Sequence, residues 1–313
     1  MTIAGNSNLQ YANATYEALF QEVFAQAPNA FVSDLFAQKM TIDGLNFQVP
    51  VVASFPVMRQ WLGSKALKDL RAYALGGTVS PYEATITLDR LQVESDKTGA
   101  VANILRGFLA SAREGIEKVL VDQFLANTEL GYDGVSLLNS SHPHSNSTGN
   151  NLTTSALSPT TYKAARQAMS LFSDEDGRPL NIRPTHLLVG PASYRAALEC
   201  VGPSRIVSVS NAGALDATSN VVAGAVIPNV FQGEVTVVES SRITGAQWAL
   251  AHCSPGLMPF LTAVKREPTP YVKDGSDMTG DFRFFKDQYA YSIEADFAVK
   301  PGLWQCIYGS VTA

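Results

Sequence analysis

The feature that most constrains the fold is a run of apolar residues spaced three and four positions apart between residues 98 and 127. The run consists of Val101, Ile104, Leu105, Phe108, Leu109, Ala112, Ile116, Val119, Leu120 and Phe124. This spacing places one apolar stripe along an α-helix, and Thr98 can cap its amino end. We therefore predict one continuous helix over 98–127, about 45 Å long at 1.5 Å per residue.

Two glycines, Gly107 and Gly115, lie inside this predicted helix. Each costs about 1 kcal/mol relative to alanine in a helix interior. Close packing of another element against that face would account for both glycines. Chance is the other interpretation.

Charge is unusually sparse in this chain of 313 residues, since only 16% of them are Asp, Glu, Lys or Arg. A typical soluble domain has about 25%. Either the surface is rich in uncharged polar residues, or much of it faces other protein. The net charge of −5 argues against a broad basic face that neutralises nucleic-acid phosphates. No apolar stretch is long enough to span a membrane, and the length suggests two compact units.

The amino-terminal third favours extended structure. We expect a flexible arm over about the first fifteen residues, a short helix beginning near Thr15, and strand-like structure over 31–53 with a turn at Asp43-Gly44. Residues 46–95 are predicted to form a long extended hairpin. Its segment 55–73 carries four basic residues and one acidic residue, which is compatible either with an acidic neighbour or with a solvated loop.

The remainder alternates helices and strands. Ser158-Pro159 has the composition of a helix start, so we predict a helix from there to Phe172. The other predictions up to residue 225 are a loop over 131–157, a buried strand over 185–189, a helix over 192–200 and a loop over 204–225. Beyond it we predict strands over 234–238 and 247–251, a proline-rich segment over 267–270, and two alternating strand-like runs over 290–297 and 304–308.

The search for catalytic chemistry is mostly negative. The sequence lacks the G-x-S-x-G, G-x-x-x-x-G-K-[ST], G-x-G-x-x-G and H-E-x-x-H motifs. Its three cysteines, Cys200, Cys253 and Cys306, are too far apart for a Cys-rich zinc site, and we interpret them as reduced, mostly buried thiols.

The histidines and one acidic run each have a functional and a structural interpretation. His142 and His144 could hold a metal from one side, but a solvated loop is favoured. His252 adjoins Cys253, yet neighbouring strand residues point to opposite faces, so a nucleophile pair is disfavoured. His186 is interpreted as a core histidine, and the acidic run at 174–176 as a solvated turn.

Five sequence blocks together carry a family resemblance: MRQWLG at 58–63, YDG at 132–134, SHP at 141–143, GRPLNIRPTHLLV at 177–189 and GLWQCIYGS at 302–310. In this order and spacing the chain resembles the Mu-like phage major head subunit family, the T gene product family. The resemblance implies an α+β fold of the Hong Kong 97 type. Its expected parts are an N-terminal arm (1–45), an extended E-loop hairpin (46–96), a P-domain with a long spine helix (97–154), an A-domain (155–255) and a return to P-domain strands (256–313).

The resemblance also implies a structural function without enzymatic activity or cofactor. Copies of the chain would form the hexamers and pentamers of an icosahedral shell that encloses the double-stranded DNA of a tailed phage without sequence-specific binding. A separate scaffolding protein and a portal are expected partners, a decoration protein is compatible with the shell, and no membrane is involved. Assembly would occur in the host bacterial cytoplasm, and the product would be the virion capsid.

The E-loop is the segment expected to contact neighbouring subunits. The residues expected to make these contacts are Arg59, Trp61, Lys65, Lys68, Arg71 and Tyr73. Some related capsids crosslink a lysine of this region to an asparagine, but no matching asparagine and carboxylate are identifiable, so no crosslink is predicted. Two other functions stay open: an encapsulin-like nanocompartment shell that encloses an enzyme cargo, and a cytosolic enzyme with an unrecognised site.

Overall fold

The computed structural model describes residues 31–52, 72–96, 99–143, 149–202, 205–208, 225–273 and 286–312. In chain order the elements are α1 (Phe31–Phe36), β1 (Ala37–Thr41), β2 (Asn46–Val52), β3 (Ala72–Thr78), β4 (Ser80–Asp89), α2 (Arg90–Ser95), α3 (Ala100–Arg113), α4 (Gly115–Ala126), α5 (Pro159–Leu171), β5 (His186–Val189), α6 (Pro191–Val201), β6 (Arg205–Ser208), β7 (Ala225–Pro228), β8 (Thr236–Glu239), β9 (Trp248–Ala251), β10 (Phe260–Lys273), β11 (Gln288–Pro301), a 3-10 helix (Trp304–Cys306) and β12 (Ile307–Ser310). None of the described helices is long and apolar enough to cross a membrane.

The first of two compact units comprises residues 1–49, 76–120 and 261–300. Its sheet has the strand order β1-β10-β11-β4, and β11 runs antiparallel to β4 with Gln288 opposite Asp89 and Phe297 opposite Ser80. The apolar stripe of α3 packs against this sheet, because Leu105 and Leu109 belong to the same buried cluster as Tyr289 of β11. Apolar burial of this kind is the main stabilising contribution to such a helix.

The prediction of one continuous helix over 98–127 is wrong in one detail. The segment forms two helices, α3 and α4, with a single turn residue, Glu114, between them. The amide of Lys118 donates to the carbonyl of Glu114 at 2.8 Å, which begins the second helix. We attribute the interruption to Gly115, because glycine loses the most backbone entropy when it is fixed in a helix.

The second unit comprises residues 50–75, 121–260 and 301–313. Its sheet has the order β12-β9-β5-β8, in which β5 is parallel to β8 and antiparallel to β9. All four residues of β9 are buried. The predicted helix at Ser158-Pro159 is confirmed: the Ser158 hydroxyl accepts from the amide of Thr161, and the Thr161 hydroxyl accepts from the amide of Ser158, which is a capping box.

Several sequence predictions fail in the described residues. Residues 31–36 form a helix instead of a strand, because Val32 and Phe36 are buried at the i, i+4 spacing of a helix. The predicted hairpin over 46–95 is limited to β2 and β3, whereas β4 joins the sheet of the first unit and buries Leu88. The proline-rich segment 267–270 lies inside strand β10.

The predicted alternation over 304–308 also fails. Trp304, Gln305 and Cys306 are all buried and form one turn of 3-10 helix, so no exposed face alternates with a buried one. The short helix predicted near Thr15 and most of the loop predicted over 204–225 lie outside the described residues. The described residues 205–208 of that loop form β6, which pairs antiparallel with β7.

We expect the substitution Gly107→Ala to stabilise the subunit by about 0.5–1 kcal/mol, because alanine restricts the unfolded chain more than glycine does. A Cβ at this position meets no described atom within 4 Å. Urea unfolding of the unassembled chain measures the change. Gly309→Ala is the opposite control, since its Cβ would overlap the carbonyl oxygen of Trp248. A lower unfolding midpoint for Gly107→Ala would show that another part of the chain packs against α3 at this position.

Candidate functional site

The residues predicted to contact neighbouring subunits are only partly described. Arg59, Trp61, Lys65, Lys68 and Arg71 lie outside the described residues. Tyr73 lies at the beginning of β3, where its side chain is half-buried. Its ring centroid lies 5.9 Å from that of Tyr132, with the two planes tilted by 40°. The beginning of β3 is therefore packed against the loop that follows α4.

That loop contains a buried polar cluster, which we call the His142 junction: Asp133, His142, Asn151 and Trp304. His142 is 3% exposed and Asn151 is completely buried. The Nδ1 atom of His142 lies 2.5 Å from Oδ2 of Asp133, and its Nε2 atom lies 3.1 Å from Oδ1 of Asn151. The imidazole stacks on the indole of Trp304, with 4.1 Å between centroids and 5° between planes.

The hydrogen bonds of Asn151 determine how the junction is protonated. Its Nδ2 donates to the carbonyls of Leu137 and Trp304, so its Oδ1 is an acceptor. That oxygen also accepts from the amide of Asn139 at 2.8 Å. The Nε2 atom of His142 must therefore carry a proton and donate it to Asn151. On the other side of the ring, Nδ1 faces the Asp133 carboxyl group.

The sequence-based interpretation of His142 is therefore wrong, because His142 lies in a packed core instead of a solvated loop. His144 lies outside the described residues, and the part of the chain that the structure describes brings no three metal-ligating side chains together. Sequence reasoning missed the junction because Asp133, His142 and Asn151 lie in a Gly, Ser and Asn-rich segment without hydrophobic periodicity. The Trp304 partner is 153 positions from Asn151.

The acidic run at 174–176 is also more structured than predicted. Asp174 is buried, pairs with the guanidinium Nε of Arg178 at 3.0 Å, and accepts from the amides of Asp176 and Arg178. The three bonds show that Asp174 closes the turn after α5. A solvated turn describes only the exposed Asp176.

His252 and Cys253 have different hydrogen-bond partners. The His252 Nδ1–H donates to the carbonyl of Arg183 at 2.5 Å, and its Nε2 lies 2.7 Å from the Ser254 hydroxyl. The amide of Cys253 donates to the Thr185 hydroxyl at 2.9 Å. The half-buried ring of His186 contacts the same hydroxyl. Burial lowers the pKa of this imidazole.

We expect the three cysteines to react very slowly with iodoacetamide in the folded chain. Burial raises the pKa of Cys200, Cys253 and Cys306 from 9.0 to about 12. At pH 8 the thiolate fraction, and with it the rate, is about a thousandfold below that of an ordinary cysteine. The folded-state pKa is the raised one, so the resulting stability is complete below pH 9 and is lost as the pH rises towards 12. Mass spectrometry of alkylation with and without urea measures the difference. Equal rates in both would show that the thiols are accessible.

The comparisons with known proteins bear directly on this fold. A family model described as phage capsid protein matches residues 72–310, which is well over half of the chain. The chain belongs to the phage capsid protein family. No curated protein matches it.

Solved structures show which fold this phage capsid protein has. It is 17% identical to a chain in the procapsid of bacteriophage JBD30, with a TM-score of 0.53 and coverage of 99% of this chain and 76% of that one. It is 10% identical to the virus-like particle from Pyrococcus furiosus, with a TM-score of 0.53 and coverage of 94% and 97%. It is 12% identical to the holo-SrpI encapsulin complex from Synechococcus elongatus, with a TM-score of 0.51 and coverage of 91% and 89%.

The predicted Hong Kong 97-type α+β fold is confirmed by these structures. Family membership makes the chain a structural protein of the phage virion that assembles with copies of itself into the shell. This explains the low charge, because the buried parts of subunit interfaces are depleted of charged residues.

Proposed function

We propose that the chain is the major head subunit of a tailed phage of the Mu-like type, arranged as hexamers and pentamers around packaged double-stranded DNA. The observation that carries this proposal is the family match over residues 72–310. The sequence blocks at 58–63 and 302–310 support the Mu-like subtype. The negative net charge is compatible with DNA that is enclosed without sequence-specific contacts.

Each predicted part of the fold has a proposed role in the shell. The arm (1–45) and the E-loop (46–96) reach neighbouring subunits through residues other than β1 and β4, because these two strands belong to the sheet of the first unit. Residues 97–154 and 256–313 form the P-domain, and residues 155–255 form the A-domain. Strands β2 and β3 form a two-stranded sheet that leads into the basic segment 55–73. Within the E-loop, Arg59, Trp61, Lys65, Lys68, Arg71 and Tyr73 make the contacts with other subunits.

Partners act in sequence during assembly in the host cytoplasm. A scaffolding protein guides the chain into a shell, a portal occupies one vertex, and a decoration protein is compatible with the outer surface. The described residues offer apolar side chains for such contacts: Leu45, Leu91, Leu130, Leu171 and Val230 are each at least 60% exposed. Such side chains gain free energy when a partner covers them.

A nanocompartment shell is the second candidate, because the encapsulin complex shares the fold. The contents of the shells distinguish the two functions. Particles from phage-producing cells are treated with nuclease and analysed by the 260/280 absorbance ratio and by mass spectrometry. We expect nuclease-protected double-stranded DNA. Shells filled with one foreign protein would overturn the phage function in favour of the nanocompartment.

A further inference from the structure

The second unit contains a cavity of about 300 Å³ that the proposed function does not use. Its walls are mostly apolar and include Leu180, Ile182, Leu257 and Leu303. The cavity is at the small end of the range for ligand sites in proteins, about 300–1,000 Å³. It exceeds the cavity of about 150 Å³ that is sufficient to bind benzene in another protein.

In the cavity wall, the amide nitrogen of Gln305 is hydrogen-bonded, whereas its amide oxygen has no partner among the described residues. Gln305 is 8% exposed, and its Nε2 donates to the Tyr132 hydroxyl at 2.9 Å. Its Oε1 is buried and has no hydrogen-bond partner among the described residues. A buried amide oxygen without a donor is energetically unfavourable, so a ligand that supplies a donor is favoured at this position.

The other polar groups limit the ligand to a neutral molecule. Tyr132 keeps its phenolic proton, because burial raises its pKa well above the usual range. It therefore adds a donor to the cavity wall beside the Gln305 acceptor. The two charged groups of the wall, Asp174 and Arg178, are paired with each other. Burial likewise keeps Cys306 as an uncharged thiol.

We propose that this cavity binds a small neutral amphiphile, with an apolar body against the aliphatic walls and a hydroxyl or primary amide group at Gln305 and Tyr132. Such a head group is both donor and acceptor, which matches the acceptor of Gln305 and the donor of Tyr132. Val51 of β2 lines the same cavity. A bound ligand therefore also contacts the carboxyl end of β2.

Benzyl alcohol is a suitable probe, and its binding to the full chain is measured by saturation-transfer NMR and titration. We expect saturable binding that is weakened about tenfold or more by Leu180→Trp, because the indole fills the cavity. The matched control Leu130→Trp places the same side chain at an exposed position and should leave binding unchanged. If Leu180→Trp does not fold, Leu257→Trp at the exposed part of the wall replaces it. Absence of saturable binding, or equal binding in both tryptophan variants, would overturn the proposal.

The head-group assignment has its own test. Gln305→Met keeps the side-chain volume but removes the acceptor, together with the hydrogen bond to the Tyr132 hydroxyl. We expect this variant to bind benzyl alcohol more weakly while binding toluene, which has no hydroxyl, as well as the parent or better. A loss of the same size for both probes would show that Gln305 only shapes the cavity.

Discussion

Asn151→Ala is expected to lower the free energy of unfolding of the subunit by about 3–5 kcal/mol, the upper range for a single substitution. The side chain donates to the carbonyls of Leu137 and Trp304 and accepts from the amide of Asn139. Alanine leaves these groups without partners in a completely buried position. Each unsatisfied buried group costs about 1–3 kcal/mol. Urea unfolding of the unassembled chain measures the loss.

Asn150→Ala is the matched control, because Asn150 is the exposed neighbour and its side chain accepts a hydrogen bond from the amide of Leu152. We expect a loss of about 1 kcal/mol or less for this variant. If Asn151→Ala cost no more than Asn150→Ala, the His142 junction would contribute nothing to stability. The proton position inferred for His142 would then have no energetic support.

Trp61→Ala is expected to abolish shell formation while leaving the unfolding midpoint of the subunit unchanged. Trp61 is proposed to contact a neighbouring subunit through the E-loop, and buried tryptophans at interfaces are each worth about 2 kcal/mol or more. A shell repeats the same contact in every subunit, so even this loss greatly reduces the yield. Electron microscopy counts the shells, and urea unfolding reports on the subunit.

Trp304→Ala is the contrasting variant, because Trp304 is buried and stacks on His142. We expect it to destabilise the subunit itself by about 3–5 kcal/mol. An unfolded Trp61→Ala subunit would identify Trp61 as a core residue and contradict the E-loop assignment. Normal shells from Trp61→Ala would contradict the proposed contact.

Elements with a strong local signal could be predicted from the sequence. The helix at Ser158-Pro159 has its capping residues and its buried face within one short segment. The strand at 185–189 ends in the apolar residues 187–189 and lies between Pro184 and Gly190, and β5 forms there. The apolar spacing over 98–127 correctly located α3 and α4, but it contains no information about the interruption at Glu114, where one glycine changes the local helix propensity.

The parts that could not be predicted depend on contacts between distant residues. Strand β4 has the alternating pattern of a hairpin strand, and only its pairing with β11 about 200 residues later decides that it joins a core sheet. His142 has the neighbours of a solvated loop, and only Asn151 and Trp304 make it a core residue. The cavity beside Gln305 has no sequence signal at all, because it is a gap between elements.

Electron microscopy of the full chain, produced together with the proposed scaffolding protein, measures whether the chain forms shells. We expect closed icosahedral shells built from the chain. A chain that remained monomeric with the scaffolding protein present would show that it is not a shell subunit.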